Sequence, residues 1–189
     1  MVEHAYRLVR ANGGAPGIDG VTFQSIESGG GEAQLLSKLQ QELKEKTYRV
    51  GAVRRVYIPK GDGTSRPLGI PTIRDRVAQM AVKIVIEPIF EADFEDCSFG
   101  FRPKRDAHQA VGVIREALND DCCYVLDADL EQYFDTLVHE KLMKLIAGRI
   151  SDRHILAWIK QWLRAPVVEE DEEGKRRSKP SKRGTPQGE

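Results

Sequence analysis

Apolar side chains recur at helical spacing along much of the chain, and this pattern predicts most of its secondary structure. Apolar residues stand at every third or fourth position in residues 2–9, 35–43, 77–85, 107–118 and 155–163, and each stripe predicts an amphipathic helix. A further helix is expected at about residues 139–149. We expect Asp106 and Ser151 to cap the helices that follow them. Pro88 is expected to kink or end the third stripe.

Two other stretches have the pattern of strands. Residues 54–71 read as two strands around a Lys-Gly-Asp-Gly turn, which predicts a β-hairpin. Residues 122–126 are an unbroken apolar run, which favours a buried strand leading into Asp127 and Asp129. Residues 169–188 have neither pattern and are expected to be irregular. Because helices outnumber strands and the strands are too few for a complete sheet, the sequence predicts an α+β fold seen in part.

The composition excludes several classes of protein. Hydrophobic residues make up 40% and charged residues 31% of the 189 positions, and the longest apolar runs, of five residues, are too short to span a membrane. No secretory signal is visible at the N-terminus. The three cysteines, two of them adjacent, form neither a disulfide framework nor a Cys-x-x-Cys metal site, and we expect core thiols. The expected setting is a reducing cytoplasm, without a membrane partner.

Charge is unevenly distributed, although the chain carries 29 basic and 29 acidic side chains. Residues 49–76 have seven basic and two acidic side chains, and residues 175–183 have six basic and no acidic ones. Between them, residues 119–140 have seven acidic side chains and no Lys or Arg. Two basic zones around an acidic centre could hold a polyanion across a divalent-metal site. Two solvated faces and a disordered charged loop explain the same pattern equally well.

The acidic centre contains two carboxylates at the spacing of a metal site. Asp127 and Asp129 leave the same face of the predicted strand, because they are two residues apart. Such carboxylates suit Mg²⁺, which takes one or two of them together with substrate phosphates. Acidic residues after a strand are more often turn formers or helix caps, and the Asp-x-Asp pattern alone favours that interpretation.

Other side chains indicate nucleotide or nucleic-acid binding, each with weak specificity. Lys60 in the hairpin turn and Arg66 on the returning strand could clamp a triphosphate, although exposed hairpin charges are the commoner case. Phe134 could pack against a sugar, but on spacing alone it is better explained as a core residue. Basic residues that follow Phe99 and Phe101 could contact a nucleic-acid backbone, namely Arg102, Lys104 and Arg105.

In their order along the chain, seven short blocks resemble the reverse transcriptase domain of bacterial group II intron-encoded proteins. The blocks cover nearly the whole chain, and seven of them in one order are not expected by chance. They are Gly-Ala-Pro-Gly-Ile-Asp-Gly at 14–20, Arg-Val-Tyr-Ile-Pro-Lys at 55–60, Arg-Pro-Leu-Gly-Ile-Pro at 66–71, Arg-Asp-Arg at 74–76, Ser-Phe-Gly-Phe-Arg-Pro at 98–103, Asp-Leu-Glu-Gln-Tyr-Phe-Asp at 129–135 and Gly-Thr-Pro-Gln-Gly at 184–188.

The resemblance implies a partial right-hand polymerase fold with fingers and an incomplete palm sheet. The complete enzyme would be an RNA-directed DNA polymerase that uses two Mg²⁺ ions for nucleotidyl transfer. Residues 1–76 would form the fingers, with N-terminal helices and the basic hairpin. Residues 77–136 would form part of the palm, and residues 137–189 would form helices and a charged loop that leads to Pro-Gln-Gly. The implied partners are an intron RNA template, a DNA primer or target, and deoxynucleoside triphosphates.

The same resemblance assigns roles to individual residues. Asp129 would be a catalytic metal ligand, and the backbone carbonyl of Leu130 would lie beside the second ion. Phe134 would reject a ribose 2′-hydroxyl by its bulk, and Gln187 would lie close to the templating base pair. Asp127 has no metal role in the family pattern. Lys60 and Arg66 would contact the incoming triphosphate, and the residues expected to contact nucleic acid are Arg54, Arg55, Arg74, Arg76, Arg102, Lys104 and Arg105.

The sequence departs from the family pattern in one respect. The family's second and third catalytic aspartates lie in a Tyr-x-Asp-Asp hairpin beyond Pro-Gln-Gly, and no Tyr-x-Asp-Asp occurs in these 189 residues. Thumb and further C-terminal regions are absent from them too. We therefore expect that the chain alone does not polymerise. An incomplete palm sheet would leave an unpaired edge, which predicts marginal stability or self-association.

Three interpretations of function stay open at this point. The chain is part of a polymerase that supports intron mobility, or an RNA-binding maturase-like fragment that aids splicing, or a degenerate remnant without activity. In the second case the basic hairpin and residues 175–183 would carry RNA binding that weakens steeply with salt. Reverse transcriptases joined to CRISPR systems share several of the blocks, although the blocks at 14–20 and 98–103 together fit the intron group best.

Overall fold

The computed structural model describes residues 1–59, 61, 63–170 and 176–185, and these residues form eight helices and four strands. The helices are α1 (Val2–Asn12), α2 (Phe23–Ser28), α3 (Glu32–Glu45), α4 (Ile73–Glu91), α5 (Ala107–Asn119), α6 (Tyr133–Thr136), α7 (His139–Ala147) and α8 (Arg153–Leu163). The strands are β1 (Val53–Pro59), β2 (Ser65–Ile70), β3 (Val167–Glu170) and β4 (Arg176–Lys179). Within these described ranges, no helix is long and apolar enough to cross a membrane.

The chain divides into two compact units. Unit 1 contains Met1–Val85 and Gln132–Glu189, so it is built from two separate stretches of sequence. Unit 2 is the intervening stretch Ile86–Glu131. The predicted division at residues 76, 136 and 189 follows functional regions of the family rather than compactness, and it stays a prediction.

The hydrophobic core of unit 1 lies between α1, α3 and the first half of α4. The apolar stripes predicted for these helices face this core. Val2, Ala5, Tyr6 and Val9 are buried on α1, and Leu36 and Leu39 are buried on α3. Their partners on α4 include the buried Ile73, Val77, Ala78 and Ala81. The helix continues past Pro88 to Glu91, so this proline does not end it.

A buried polar network ties the start of α4 to α8 and to the segment before β1. Tyr48 donates to Asp75 Oδ1 (2.6 Å), and Trp162 Nε1 donates to the Tyr48 hydroxyl (2.9 Å). The second oxygen of Asp75 accepts the Gly51 N–H (2.9 Å). Burial first, and then the neighbouring Asp75 carboxylate, raises the pKa of Tyr48, so its hydroxyl stays a proton donor. Fully partnered polar groups of this kind fix one arrangement of the elements that they join.

The four strands form one mixed sheet in the order β2-β1-β3-β4. The predicted hairpin is confirmed, because β1 and β2 pair antiparallel from Arg54–Ile70 to Pro59–Ser65. β1 also pairs parallel with β3, which in turn pairs antiparallel with β4. The prediction that residues 169–188 are irregular is therefore wrong for β4 and the end of β3. In this part of the sheet Glu169 pairs with Arg177 and Glu170 pairs with Arg176. Because these positions do not alternate between apolar and polar residues, the sequence pattern did not indicate strands.

Unit 2 contains α5 and little other regular structure. Asp106 caps α5 as predicted, through a capping box with Gln109. The inward orientation expected for the apolar stripe of α5 is wrong, since Leu118 is 53% exposed and no residue of the helix is buried. The buried strand expected at residues 122–126 is also absent, because no described strand pairs with it and Tyr124 is 99% exposed. The three cysteines are exposed rather than in a core.

Candidate active site

Alternation along the hairpin gives the sheet two chemically different faces. The antiparallel register places Ile58 opposite Arg66, Val56 opposite Leu68 and Arg54 opposite Ile70, so these six side chains share one face. We call this the groove face. Arg66, one of the two expected triphosphate contacts, is thus on the same side as Arg54, one of the expected nucleic-acid contacts. Lys60, the other expected triphosphate contact, lies outside the described residues.

A groove of about 780 Å³ runs along this face. Its floor is apolar, formed by Val56, Ile58, Leu68 and Ile70 of the hairpin. Its walls are the turn at residues 12–15 and the side of α4, with cations at Arg54, Arg76 and Lys83. An apolar floor with basic walls suits a nucleobase lying flat with its phosphates at the edge. Sequence reasoning missed Lys83, because a single Lys on a helix carries no local signal.

The glycine-rich turn of the first block forms the end of this groove and is fixed to α4 by Arg76. The Arg76 guanidinium donates to the carbonyls of Gly13 (3.0 Å) and Ala15 (2.9 Å) and lies over the Phe23 ring. Burial lowers its pKa. A Cβ on Gly17 would meet the Thr72 backbone at 2.7 Å, so only glycine fits there. The Nε atoms of Arg54 and Arg76 are buried and lack hydrogen-bond partners within the described residues.

Two of the other arginines expected to contact nucleic acid are engaged by the protein itself. Arg74 pairs with Glu42 and donates to the Arg49 carbonyl (3.0 Å). Arg102 has only 6% of its side chain exposed, because it binds the Glu91 carboxylate and the carbonyls of Glu95 and Ser98 at 2.7–3.3 Å. In this structure they join segments within their own units.

The other two basic residues that follow Phe99 and Phe101 differ from each other in their contacts. Arg105 pairs with Asp96 (3.0 Å) and lies over the Phe99 ring, while part of its side chain stays exposed. Lys104 is exposed and has a left-handed backbone (φ 60°). Sequence spacing alone could not distinguish these side chains from the buried Arg102.

The expected metal ligands lie in unit 2, on exposed backbone. The Asp129 carboxylate accepts the N–H of Leu130 (2.8 Å), and both residues are exposed, as is Asp127. Among the residues that the structure describes, no group of three His, Cys, Asp or Glu side chains could hold a metal ion. One carboxylate and one carbonyl do not make the donor set that two Mg²⁺ ions require.

The sixth and seventh sequence blocks meet in unit 1. The Thr185 N–H donates to the Phe134 carbonyl (2.9 Å), and the Gly184 N–H donates to the Leu137 carbonyl (2.8 Å). The buried His139 also contacts this segment, with Nε2 at 2.6 Å from the Gly184 carbonyl oxygen. A Cβ on Gly184 would meet the Phe134 and Asp135 carbonyls at 2.9 and 2.8 Å. Gln187 lies outside the described residues. No local signal could have identified His139, because its partner is 45 residues away.

The described residues thus form a mixed α/β fold in which a basic hairpin lies beside an apolar-floored groove. Residues 58–189 match the family described as reverse transcriptase (RNA-dependent DNA polymerase). The chain belongs to this family, and over most of its length it is related to group II intron-encoded proteins, as the sequence blocks predicted.

Individual relatives are longer than this chain. It is 38% identical over 176 residues to Protein YkfC of Escherichia coli (strain K12), covering 89% of this chain and 45% of YkfC. It is 36% identical over 185 residues to the group II intron-encoded protein LtrA of Lactococcus lactis, covering 97% of this chain and 29% of LtrA. A chain of the "Partial Cas6-RT-Cas1--Cas2 complex" shares the fold, with a TM-score of 0.54 and 20% identity over 97% of this chain and 30% of that one. The chain thus spans less than half the length of these relatives.

Proposed function

We propose that the chain is the template- and nucleotide-binding part of a group II intron reverse transcriptase. The observation that carries the proposal is the junction of Phe134 with Gly184 and Thr185. Phe134, which is expected to contact the sugar, accepts the Thr185 N–H through its carbonyl, and Thr185 comes two residues before Gln187, which is expected near the templating base pair. A residue that rejects a 2′-hydroxyl and one that contacts the base pair must be adjacent, because both act on one nucleotide.

The groove face supplies the remaining part of this proposal. Arg66 would contact the triphosphate, and the template nucleotide would lie in the groove on Val56 and Leu68. Arg54, Arg76 and Lys83 would hold its phosphates. These side chains bind and orient, and the described residues provide no complete centre for two Mg²⁺ ions. In the complete enzyme Mg²⁺ would supply the chemistry of nucleotidyl transfer. We propose that the Asp129 carboxylate and the backbone carbonyl of Leu130 would contribute to holding it.

Template binding is tested with an RNA template annealed to a labelled DNA primer, followed by fluorescence anisotropy at increasing salt. Arg54→Gln should weaken binding and reduce the salt slope by about 0.7–0.9, because one phosphate contact is lost. The control is Arg7→Gln, which removes an exposed charge from α1. An equal effect of both variants, or no binding by the wild type, would contradict the proposal.

Polymerase activity is tested separately, by primer extension with Mg²⁺ and all four deoxynucleotides. We expect no extension, since Tyr-x-Asp-Asp is absent from the 189 residues. Extension that survives Asp129→Asn would show that the proposed metal ligand is misassigned. Extension that is lost in this variant would show instead that the chain is active by itself.

A second candidate function is RNA binding of the maturase type. It is favoured by β4, where Arg176, Arg177 and Lys179 are exposed in the basic stretch that the charge pattern indicated. Asp129→Ala should leave RNA affinity unchanged in this case, because Asp129 is far from this stretch in sequence and would act only on metal.

We also propose that the chain self-associates through unit 2. The apolar side chains of Val111, Ile114 and Leu118 and the apolar run at residues 122–126 are exposed, and such surfaces drive association. Sedimentation velocity should show a mass that rises with concentration, and Leu118→Lys should reduce the rise. A monomer at all concentrations would refute this proposal.

A further inference from the structure

The face of the sheet opposite the groove is a second charged surface. The register places Arg55 and Tyr57 of β1, Glu169 of β3, and Arg177 and Lys179 of β4 on that side. We call these five residues the outer face. β4 is an edge strand whose four residues are all exposed, so this face is open to solvent at its basic end.

Tyr57 presents its ring in a fixed orientation on the outer face. Its hydroxyl donates to Glu169 Oε1 (2.9 Å), while 54% of the residue stays exposed. This hydrogen bond lowers the pKa of Glu169 and raises that of Tyr57, so at neutral pH the carboxylate is ionised and the phenol remains a donor. An exposed aromatic ring held at its polar end is a stacking platform that loses little conformational entropy when a ligand binds.

Three of the five outer-face residues are cationic and one, Glu169, is acidic. Lys179 pairs with Glu169 (3.4 Å), which neutralises the one carboxylate of the outer face. Among the described residues, the guanidinium groups of Arg55 and Arg177 make no hydrogen bond or ion pair with protein. They contrast with Arg74 and Arg102, whose guanidinium groups are both bound by protein carboxylates. Arg55 lies two residues before Tyr57 on β1, and Arg177 lies opposite Glu169, the hydrogen-bond partner of Tyr57, on β4.

We propose that the outer face binds single-stranded RNA, with an unpaired base stacked on Tyr57 and the flanking phosphates on Arg55 and Arg177. Stacking on an aromatic ring requires an unpaired base, which favours a single strand over a duplex. An acidic peptide would use the cations but not the exposed ring. This inference rests on the proposed function for the choice of RNA, and it adds a site on the side of the sheet away from the template groove.

The test is binding of the 189-residue chain to a labelled single-stranded RNA of about 12 nucleotides, followed by fluorescence anisotropy over a salt series. The double variant Arg55→Gln with Arg177→Gln should reduce the salt slope by about 1.4, since each lost phosphate contact on a single strand contributes about 0.7. Lys38→Gln with Lys44→Gln is the matched control, because it removes two exposed charges from α3. Equal effects of the two pairs would overturn the proposal.

The stacking role is tested by two substitutions of one side chain. Tyr57→Ala should weaken RNA binding roughly tenfold, because a stacked base is lost. Tyr57→Phe keeps the ring and should stay within about twofold of the wild type. Thermal unfolding of each variant is the control that checks whether the fold is retained. If Tyr57→Phe weakens binding as much as Tyr57→Ala, the ring does not stack and the proposal fails.

The outcomes separate this inference from the proposed function. If Arg54→Gln weakens template binding while all outer-face variants bind single-stranded RNA normally, the groove proposal stands and the outer-face proposal is wrong. If the wild-type chain binds neither nucleic acid, both are wrong. If a poly-glutamate peptide binds the outer face and single-stranded RNA does not displace it, the partner is an acidic protein and the proposal is overturned.

Discussion

The two units of the molecule use the same kind of sequence pattern with opposite results. In unit 1, the stripe of α3 buries Leu36 and Leu39 against α1 and α4. In unit 2, the stripe of α5 leaves Ile114 and Leu118 exposed. Periodicity shows which side of a helix is apolar, but burial also requires a second layer to cover it. Unit 1 contains that layer within itself, and unit 2 does not.

The largest expected effect that tests this contrast comes from the polar network of unit 1. Asp75→Ala leaves the Tyr48 hydroxyl and the Gly51 N–H without their buried acceptor, so we expect a loss of about 3–5 kcal/mol in the free energy of unfolding. Urea denaturation measures it. Asp127→Ala, an exposed change in unit 2, should alter stability by less than about 0.5 kcal/mol. Similar losses from both would remove the distinction between the units.

A change of apolar size tests the two helical stripes directly. Leu39→Ala should cost about 2–5 kcal/mol, because it leaves a cavity in the core of unit 1. Leu118→Ala should cost less than about 0.5 kcal/mol, since the side chain is already half exposed. Both values come from the midpoint of urea unfolding at one protein concentration. A large cost for Leu118→Ala would show that its stripe is covered in solution.

The contact between Phe134 and Gly184 should be the next most sensitive. Gly184→Ala brings a Cβ against two carbonyls at a positive φ of 75°, and we expect a loss of about 2–4 kcal/mol. Gly20→Ala is the control, because Gly20 has a φ of 69° but nothing within 4 Å of a Cβ. It isolates the backbone cost of about 1–2 kcal/mol. Equal losses would mean that the close approach adds nothing.

The smallest effect concerns the start of α8, where the sequence prediction was wrong by one residue. Asp152, rather than Ser151, accepts the N–H groups of His154 (2.7 Å) and Ile155 (3.0 Å). Asp152→Ala should cost about 1 kcal/mol and Ser151→Ala almost nothing, as measured by thermal unfolding.

The stabilisation by Asp152 should also depend on pH in one direction. The two backbone hydrogen bonds lower its pKa in the folded state. Its contribution is therefore present above the ordinary carboxyl pKa and is lost as the pH falls through the lowered value. The difference in stability between wild type and Asp152→Ala should vanish in acid. A difference that persists there would assign the effect to something other than the charged cap.

The physical reason for each success and failure of the sequence prediction is visible in particular residues. The hairpin was predictable because β1 and β2 are adjacent in sequence and joined by a glycine-rich turn. β4 was not, since Arg176, Arg177 and Lys179 form a strand only through partners on β3. The arginines were indistinguishable in sequence, yet Arg102 is buried by Glu91 while Arg55 is on an open sheet face. The role of His139 depends on a contact between distant residues, which no local pattern contains.

The parallel pairing of β1 with β3 has a consequence for how the chain folds during synthesis. Tyr57 and Glu169 are 112 residues apart, and Tyr48 and Trp162 are 114 residues apart. Such non-local contacts form slowly, because the intervening loop must close first. On the ribosome, the hairpin can form as soon as it emerges, but its second neighbour arrives only after unit 2 and α8 have been made. The growing chain therefore exposes the second edge of β1 until β3 emerges, and nascent-chain proteolysis should detect full protection of β1 only after residue 170 leaves the exit tunnel.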